Sequence, residues 1–177
     1  NGIVRKGVQF ALGIHAAAPL PKFSRQRFTT WFRNHPRPAQ ATRQVVYFHG
    51  CATEYYEPRV GRAAVNVLEA NGFEVIVPEQ GCCGLPLLSN GEFPAAHRYH
   101  AANVSHLAEY ANQGIPIVGT STSCTLTLKE EAPELLDLHE EDVQSVAQST
   151  YDIHEFLLNL LYLEEMNLDL KPIPYEF

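Results

Sequence analysis

The sequence predicts an α/β fold, a parallel sheet of about three to four strands with flanking helices in a Rossmann-like arrangement, preceded by a basic N-terminal arm. Two observations predict it. Short runs rich in β-branched and aromatic residues, at 44–48, 73–77 and 115–119, alternate with longer stretches of helical periodicity. Strands that alternate with helices form parallel sheets joined by right-handed crossovers. Each run is also followed within a few residues by cysteine, Cys51 after the first, Cys82 and Cys83 after the second, and Cys124 after the third. A length of 177 residues suits one well-buried domain, placed at 41–177, with 1–40 as arm or linker.

Within the arm, Pro19, Pro21, Pro36 and Pro38 interrupt any long element. Ser24 is placed to cap a short helix whose Phe28, Trp31 and Phe32 share one face, a stripe that reads as core before it reads as a membrane or partner contact. Residues 1–43 hold eight Lys and Arg and no Asp or Glu, whereas 44–177 hold five basic residues against all 20 acidic ones. The chain is thus divided into parts of +8 and −15. A basic arm suits an anionic lipid surface or an acidic partner, or it packs against its own acidic body. No base-reading motif accompanies the arginines, so nucleic acid is not an expected partner.

Beyond the arm, a helix is expected at about 58–71, with Pro58 in its first turn and Gly72 as its stop. A second is expected at 92–112, with His97, His100 and His106 on its solvated surface, and a short third ends before Pro133. In the acidic remainder Thr150 is read as the cap of a helix bearing Ile153, Phe156, Leu157, Leu160 and Leu161 at helical spacing. No run approaches the ~20 apolar residues of a membrane-spanning helix. Nor is there a signal peptide, so the cysteines are expected to bind metal or do redox work in a reducing compartment. The start at Asn1 and the closing stretch 171–177, which looks like the beginning of a strand, suggest a piece of a longer protein.

In a parallel sheet every strand-to-helix loop lies at one carboxyl edge, so Cys51, Cys82, Cys83 and Cys124 are expected to form one site. Gly81 and Gly84 permit the turn that brings adjacent thiols to the same side. His49 and Gly50 lead into Cys51, with His49 read as a hydrogen-bonding or packing residue rather than a ligand. Ser123 precedes Cys124 at the start of a helix, where the positive end of the helix dipole favours thiolate. Zinc is disfavoured, because structural zinc sites use paired Cys-x₂₋₄-Cys knuckles. An iron–sulfur cluster accepts thiolates from separate loops. The remaining readings are small buried hydrophobes or a vicinal Cys82–Cys83 disulfide.

The runs Phe48-His-Gly-Cys51, Gly81-Cys-Cys-Gly-Leu-Pro86, Ser89-Asn-Gly91 and Thr120-Ser-Thr-Ser-Cys-Thr125, followed by Lys129-Glu-Glu-Ala-Pro133, resemble the cysteine-rich CCG domain of heterodisulfide reductase, glycolate and lactate oxidase and succinate reductase relatives. They resemble in particular the C subunits of anaerobic glycerol-3-phosphate dehydrogenases, over about residues 20–177. The resemblance implies a [4Fe–4S] cluster held by the four cysteines and no catalytic residue. It also implies flavoprotein dehydrogenase subunits as partners, electron passage toward membrane quinone, and a cytoplasmic, peripheral place on the inner face of the cytoplasmic membrane. Two ferredoxin-like motifs before this segment and a second CCG repeat after it are implied as well. The full motif ends in Cys-x-x-Cys, whereas here Cys124 is followed by Thr125, Leu126 and Thr127, so a fifth ligand is missing. That leaves a four-thiolate cluster, another metal such as zinc, or a docking and assembly module with unligated cysteines.

Overall fold

The computed structural model describes residues 2–19 and 22–169, so the expectation for 171–177 lies outside the described residues. Among the described residues four strands form one parallel sheet in the order β2-β1-β3-β4, with β1 (Arg43–Phe48), β2 (Phe73–Ile76), β3 (Ile117–Gly119) and β4 (Thr150–Asp152). Central β1 is buried on both faces, which is why Val45-Val-Tyr-Phe48 reads as an unbroken apolar run rather than an alternating one. Val46, Phe48 and Ile117 face α6 (Phe93–Ala111) and α9 (Glu141–Ser149) through Val104, Leu107, Val143 and Val146. Val45, Tyr47 and Val118 face the opposite layer, formed by α2 (Phe28–Phe32), α4 (Pro58–Ala70) and α10 (Ile153–Tyr162).

The aromatic stripe of α2 is core. Phe28 is fully buried, its ring packing on Tyr47 and His49 at centroid distances of 5.4 Å each, and Trp31 and Phe32 join the same cluster. The Thr29 amide and hydroxyl donate to the buried Glu54 carboxylate at 3.0 and 2.8 Å, and His35 bonds Glu69 at 2.9 Å. Ser24 does not cap α2; its hydroxyl donates to the Gln26 carbonyl, and Arg27 holds the cap position. By contrast α1 (Gly2–Leu12) buries none of its residues, with Ile3 and Phe10 almost fully exposed.

Two boundaries differ from expectation. Thr150 opens β4, and the cap of α10 is Asp152, whose carboxylate accepts from the His154 amide at 2.9 Å. The helix after β3 does not end before Pro133. It runs as α7 (Thr122–Leu126), a π-helical turn (Thr127–Glu131) and α8 (Ala132–Leu135). Proline has no N–H and crowds the preceding turn, and the widened turn just before it accommodates both defects.

His100 also departs from its expected place. It is buried, and neither ring nitrogen has a hydrogen-bond partner among the described residues. Burial, with His97 as a second charge nearby and Glu140 opposing it, pushes its pKa down to about 4. The folded state therefore resists a proton that the unfolded chain accepts near pH ~6.5. The stability tied to neutral His100 is complete above that value and is lost as pH falls toward 4, a loss of roughly 3 kcal/mol. Urea midpoints at pH 7 and near pH 4 are expected to show this difference, and His100→Leu is expected to shrink it.

Candidate metal centre

The carboxyl ends of β1, β2 and β3 deliver three loops to one edge of the sheet, and each carries thiol. Cys51 lies in α3 (Gly50–Tyr55) directly after β1, Cys82 and Cys83 precede α5 (Leu85–Ser89), and Cys124 lies in α7. In the order β2-β1-β3-β4 the chain reverses direction of progress between β1 and β3, the place where open α/β sheets leave a crevice for ligands. Cys51 and Cys124 sit on the two sides of that crevice.

Local backbone makes the approach possible. Gly50 has φ +63°, and a Cβ there would stand 3.1 Å from Cys124 Sγ, so glycine is what lets the third loop close on the first. Gly84, at φ +94°, makes the turn into α5. Gly81 does not take a left-handed conformation; its contribution is an amide that donates to Asn103 Oδ1 at 2.8 Å.

All four cysteines are free thiols, Cys83 and Cys124 buried, Cys82 half-buried and Cys51 exposed. The vicinal disulfide is therefore not formed. Their thiols interact pairwise, Cys82 with Cys51 and Cys83, and Cys83 with Cys124. The hydrogen bond with Cys83 lowers the Cys82 pKa to about 5 against the cost of burial, with further hydrogen bonds from the Gly84 amide and the Cys51 thiol. The same thiol lowers Cys124 to about 7, again against burial, with Ser121 adding a hydrogen bond. Cys83 is raised by its hydrogen bonds with both neighbours and by burial, and Cys51 is raised by burial and by the charges of Cys82 and Cys124. It is Ser121, not the exposed Ser123, whose side chain reaches the Cys124 thiol.

Two amide side chains that the motif reading passed over hold the loops. Gln80 Oε1 accepts from the His49 amide at 2.8 Å while its Nε2 donates to the Tyr47 carbonyl at 3.1 Å, tying the second loop to the end of β1. Asn103, fully buried on α6, accepts from Gly81 N–H and donates to the Cys82 carbonyl at 2.9 Å. His49 is buried against Phe28, with Nδ1 2.9 Å from the Gly50 carbonyl, and burial lowers its pKa. Asn103→Leu removes both bonds, leaving the Gly81 N–H and the Cys82 carbonyl without this partner, so roughly 1–3 kcal/mol of stability is expected to be lost in chemical denaturation. Asn103→Asp keeps the acceptor for Gly81 but sets a buried carboxylate against the Cys82 carbonyl, so it is expected to lose at least as much near neutral pH.

Among the described residues no group of three or more His, Cys, Asp or Glu side chains is arranged to enclose a metal ion. The four thiols nevertheless act on one another's titration at this edge of the sheet. That donor set, four thiols from three loops whose polar partners are one another, backbone amides and Ser121, fits a thiolate-ligated cluster, in which different irons take different cysteines.

Residues 45–129 match the family model described as CCG, cysteine-rich domain. The chain is 34% identical to the C subunit of anaerobic glycerol-3-phosphate dehydrogenase from Escherichia coli (strain K12), an alignment covering 97% of this chain and 43% of that protein. It is 31% identical to lactate utilization protein A of Halalkalibacterium halodurans over 72% of this chain and 52% of the relative, and equally so to that of Bacillus cytotoxicus over 72% and 53%. The chain thus spans about half the length of the curated relatives it matches. No solved structure is matched. Residues 45–129, the segment that carries all four thiols, thus match the CCG cysteine-rich domain family.

Proposed function

We propose that this chain is the electron-transfer domain of an oxidoreductase complex, in which Cys51, Cys82, Cys83 and Cys124 ligate an iron–sulfur cluster of the four-iron kind. The observation that carries the reading is the convergence of four free thiols from three loops on one sheet edge. When bound, such a cluster accepts and returns single electrons. The residues of this chain would hold it and set its potential. The Gly84 and Leu85 amides and the Ser121 hydroxyl hydrogen-bond sulfur, and hydrogen bonds to sulfur stabilise the more negative, reduced form. Gln80 and Asn103 keep the loops in register.

The similarity to a component of glycerol-3-phosphate dehydrogenase supports placing this domain between a flavin dehydrogenase and the membrane quinone pool. The lactate utilization relatives support the same relay in a lactate- or glycolate-oxidising complex. Attachment to the cytoplasmic face of the membrane would be peripheral: no helix of the described residues is long and apolar enough to cross a membrane, while α1 exposes Ile3 and Phe10 beside Arg5 and Lys6. A docking module without a cluster, or with zinc, is the second reading, and Thr127 favours it. At the position of the missing fifth cysteine, the buried Thr127 hydroxyl is committed to the Ser123 carbonyl and Glu131, each at 2.8 Å.

Serine substitution of each cysteine in turn separates the two readings. As ligands, each is expected to lose most of the charge-transfer absorbance of anaerobically reconstituted protein while far-ultraviolet circular dichroism is kept. Four variants that all match the parent in metal content would rule the relay out.

A further inference from the structure

The one exposed thiol of the site opens onto a face unlike the rest of the acidic body. Cys51 and Tyr55 are four residues apart on α3 and so share one side of that helix. Tyr55 meets Phe23 edge-on at 6.4 Å, Phe23 stacks on Tyr56 at 5.0 Å, and the Ser24 amide donates to the Tyr55 carbonyl at 2.7 Å. Phe23 is 69% exposed, and both tyrosines are more than one-third exposed. Lys22, Arg25 and Arg27 flank Phe23 in the sequence and Arg59 follows Tyr56 by three residues; all four are exposed and none is paired with a carboxylate among the described residues. Arg27 lies over the Tyr55 ring at 5.2 Å. Of the nearby acids, Glu54 is buried and bonded to Thr29, which leaves Glu57 as the exposed carboxylate of this stretch.

We propose that this basic, aromatic face around Cys51 is the docking surface for an acidic redox protein that exchanges electrons with the site. The inference rests on the electron-transfer reading above. Aromatic and arginine side chains with a ring of like charge make a recognition surface in which the rings supply contact area and the charges steer encounter. A lipid surface is not the occupant argued for, because the exposed thiol lies within the patch and a centre that exchanges electrons needs its partner's centre close by. One electron would pass between the reduced centre and the partner's oxidised one, with no bond made or broken.

The test uses the whole chain, a plant-type [2Fe–2S] ferredoxin as acidic probe, cytochrome c as basic control, and phosphatidylglycerol vesicles. Calorimetric binding is compared for the parent and for the triple variant Arg25→Glu, Arg27→Glu, Arg59→Glu, with and without reconstituted cluster. The triple variant is expected to raise the ferredoxin Kd about tenfold or more, as is added salt, and to slow reduction of the reconstituted chain by reduced ferredoxin. Its iron content is expected to be unchanged. Tyr55→Ser, which keeps the charges, is expected to weaken binding with the same salt dependence. Equal ferredoxin affinity for parent and triple variant would overturn the proposal, as would equal binding of ferredoxin and cytochrome c. Loss of vesicle binding alone would overturn it in favour of a lipid surface. Ferredoxin binding by a chain that never takes up iron would keep the docking surface while the electron-transfer reading fails.

Discussion

Phe28→Ala is expected to destabilise the chain by about 3–5 kcal/mol, the cost of emptying a fully buried aromatic site. The ring touches Trp31, Phe32, Tyr47 and His49, and α4 lies against it so closely that a Cβ on Gly61 would come within 2.6 Å. Neither α4 nor β1 can close such a gap without moving the other. The damage lies next to His49, which leads into the first thiol loop, so metal uptake is expected to fall along with the denaturation midpoint. Phe28→Leu, which refills much of the volume, is expected to cost less. A loss below about 1 kcal/mol for Phe28→Ala, the scale of an ordinary surface substitution, would mean that α2 only rests on the body.

Gly50→Val is expected to carry the largest effect on the site itself. At φ +63° a β-branched residue costs roughly 1–2 kcal/mol in backbone strain. Its Cβ also occupies the space into which Cys124 Sγ projects, 3.1 Å away. Gly72→Val separates these two costs. Gly72 has φ +83° with nothing within 4 Å of the added carbon, so it bears comparable strain without touching a thiol. Both variants are expected to lose stability, Gly50→Val the more because it adds the crowding of Cys124 to the strain. Only Gly50→Val is expected to lose metal affinity, by about 10–100-fold, the range seen when the supports of ligands are removed. Competition with a chromogenic chelator reads the difference, and equal affinities would mean that the first and third loops do not share a centre.

These effects show what was legible in the sequence. The three longer runs of β-branched and aromatic residues announced their strands because a doubly covered sheet demands apolar side chains on both faces. β4 was hidden: Thr150-Tyr-Asp152 is no apolar run, unlike the equally short β3, and Thr150 resembles a helix cap two residues before Asp152, which does that work. Helix 122–135 runs through Pro133 by way of a π-helical turn, a remedy that depends on backbone geometry rather than residue type.

The cysteines could be grouped because parallel strands send their loops to one edge. Gln80 and Asn103 could not, since each acts across more than 20 residues on main-chain atoms of another loop. A signal for Asn103 and His100 did exist in the spacing of α6. Ala96, His100, Asn103, Val104, Leu107 and Ala111 fall on one helical stripe, and all six are buried. A polar residue on such a stripe faces inward, and reading histidine by its polarity alone sent His100 to the wrong surface.

Iron, acid-labile sulfide and zinc content, with electron paramagnetic resonance of the anaerobically reconstituted and reduced chain, tests the central claim most directly. Stoichiometric iron and sulfide with a reducible four-iron signal are predicted, with all of it lost on Cys83→Ser, since Cys83 is the thiol that bonds both Cys82 and Cys124. Four titratable thiols without iron after reconstitution, or zinc in its place, would contradict the relay and leave these loops as a docking scaffold.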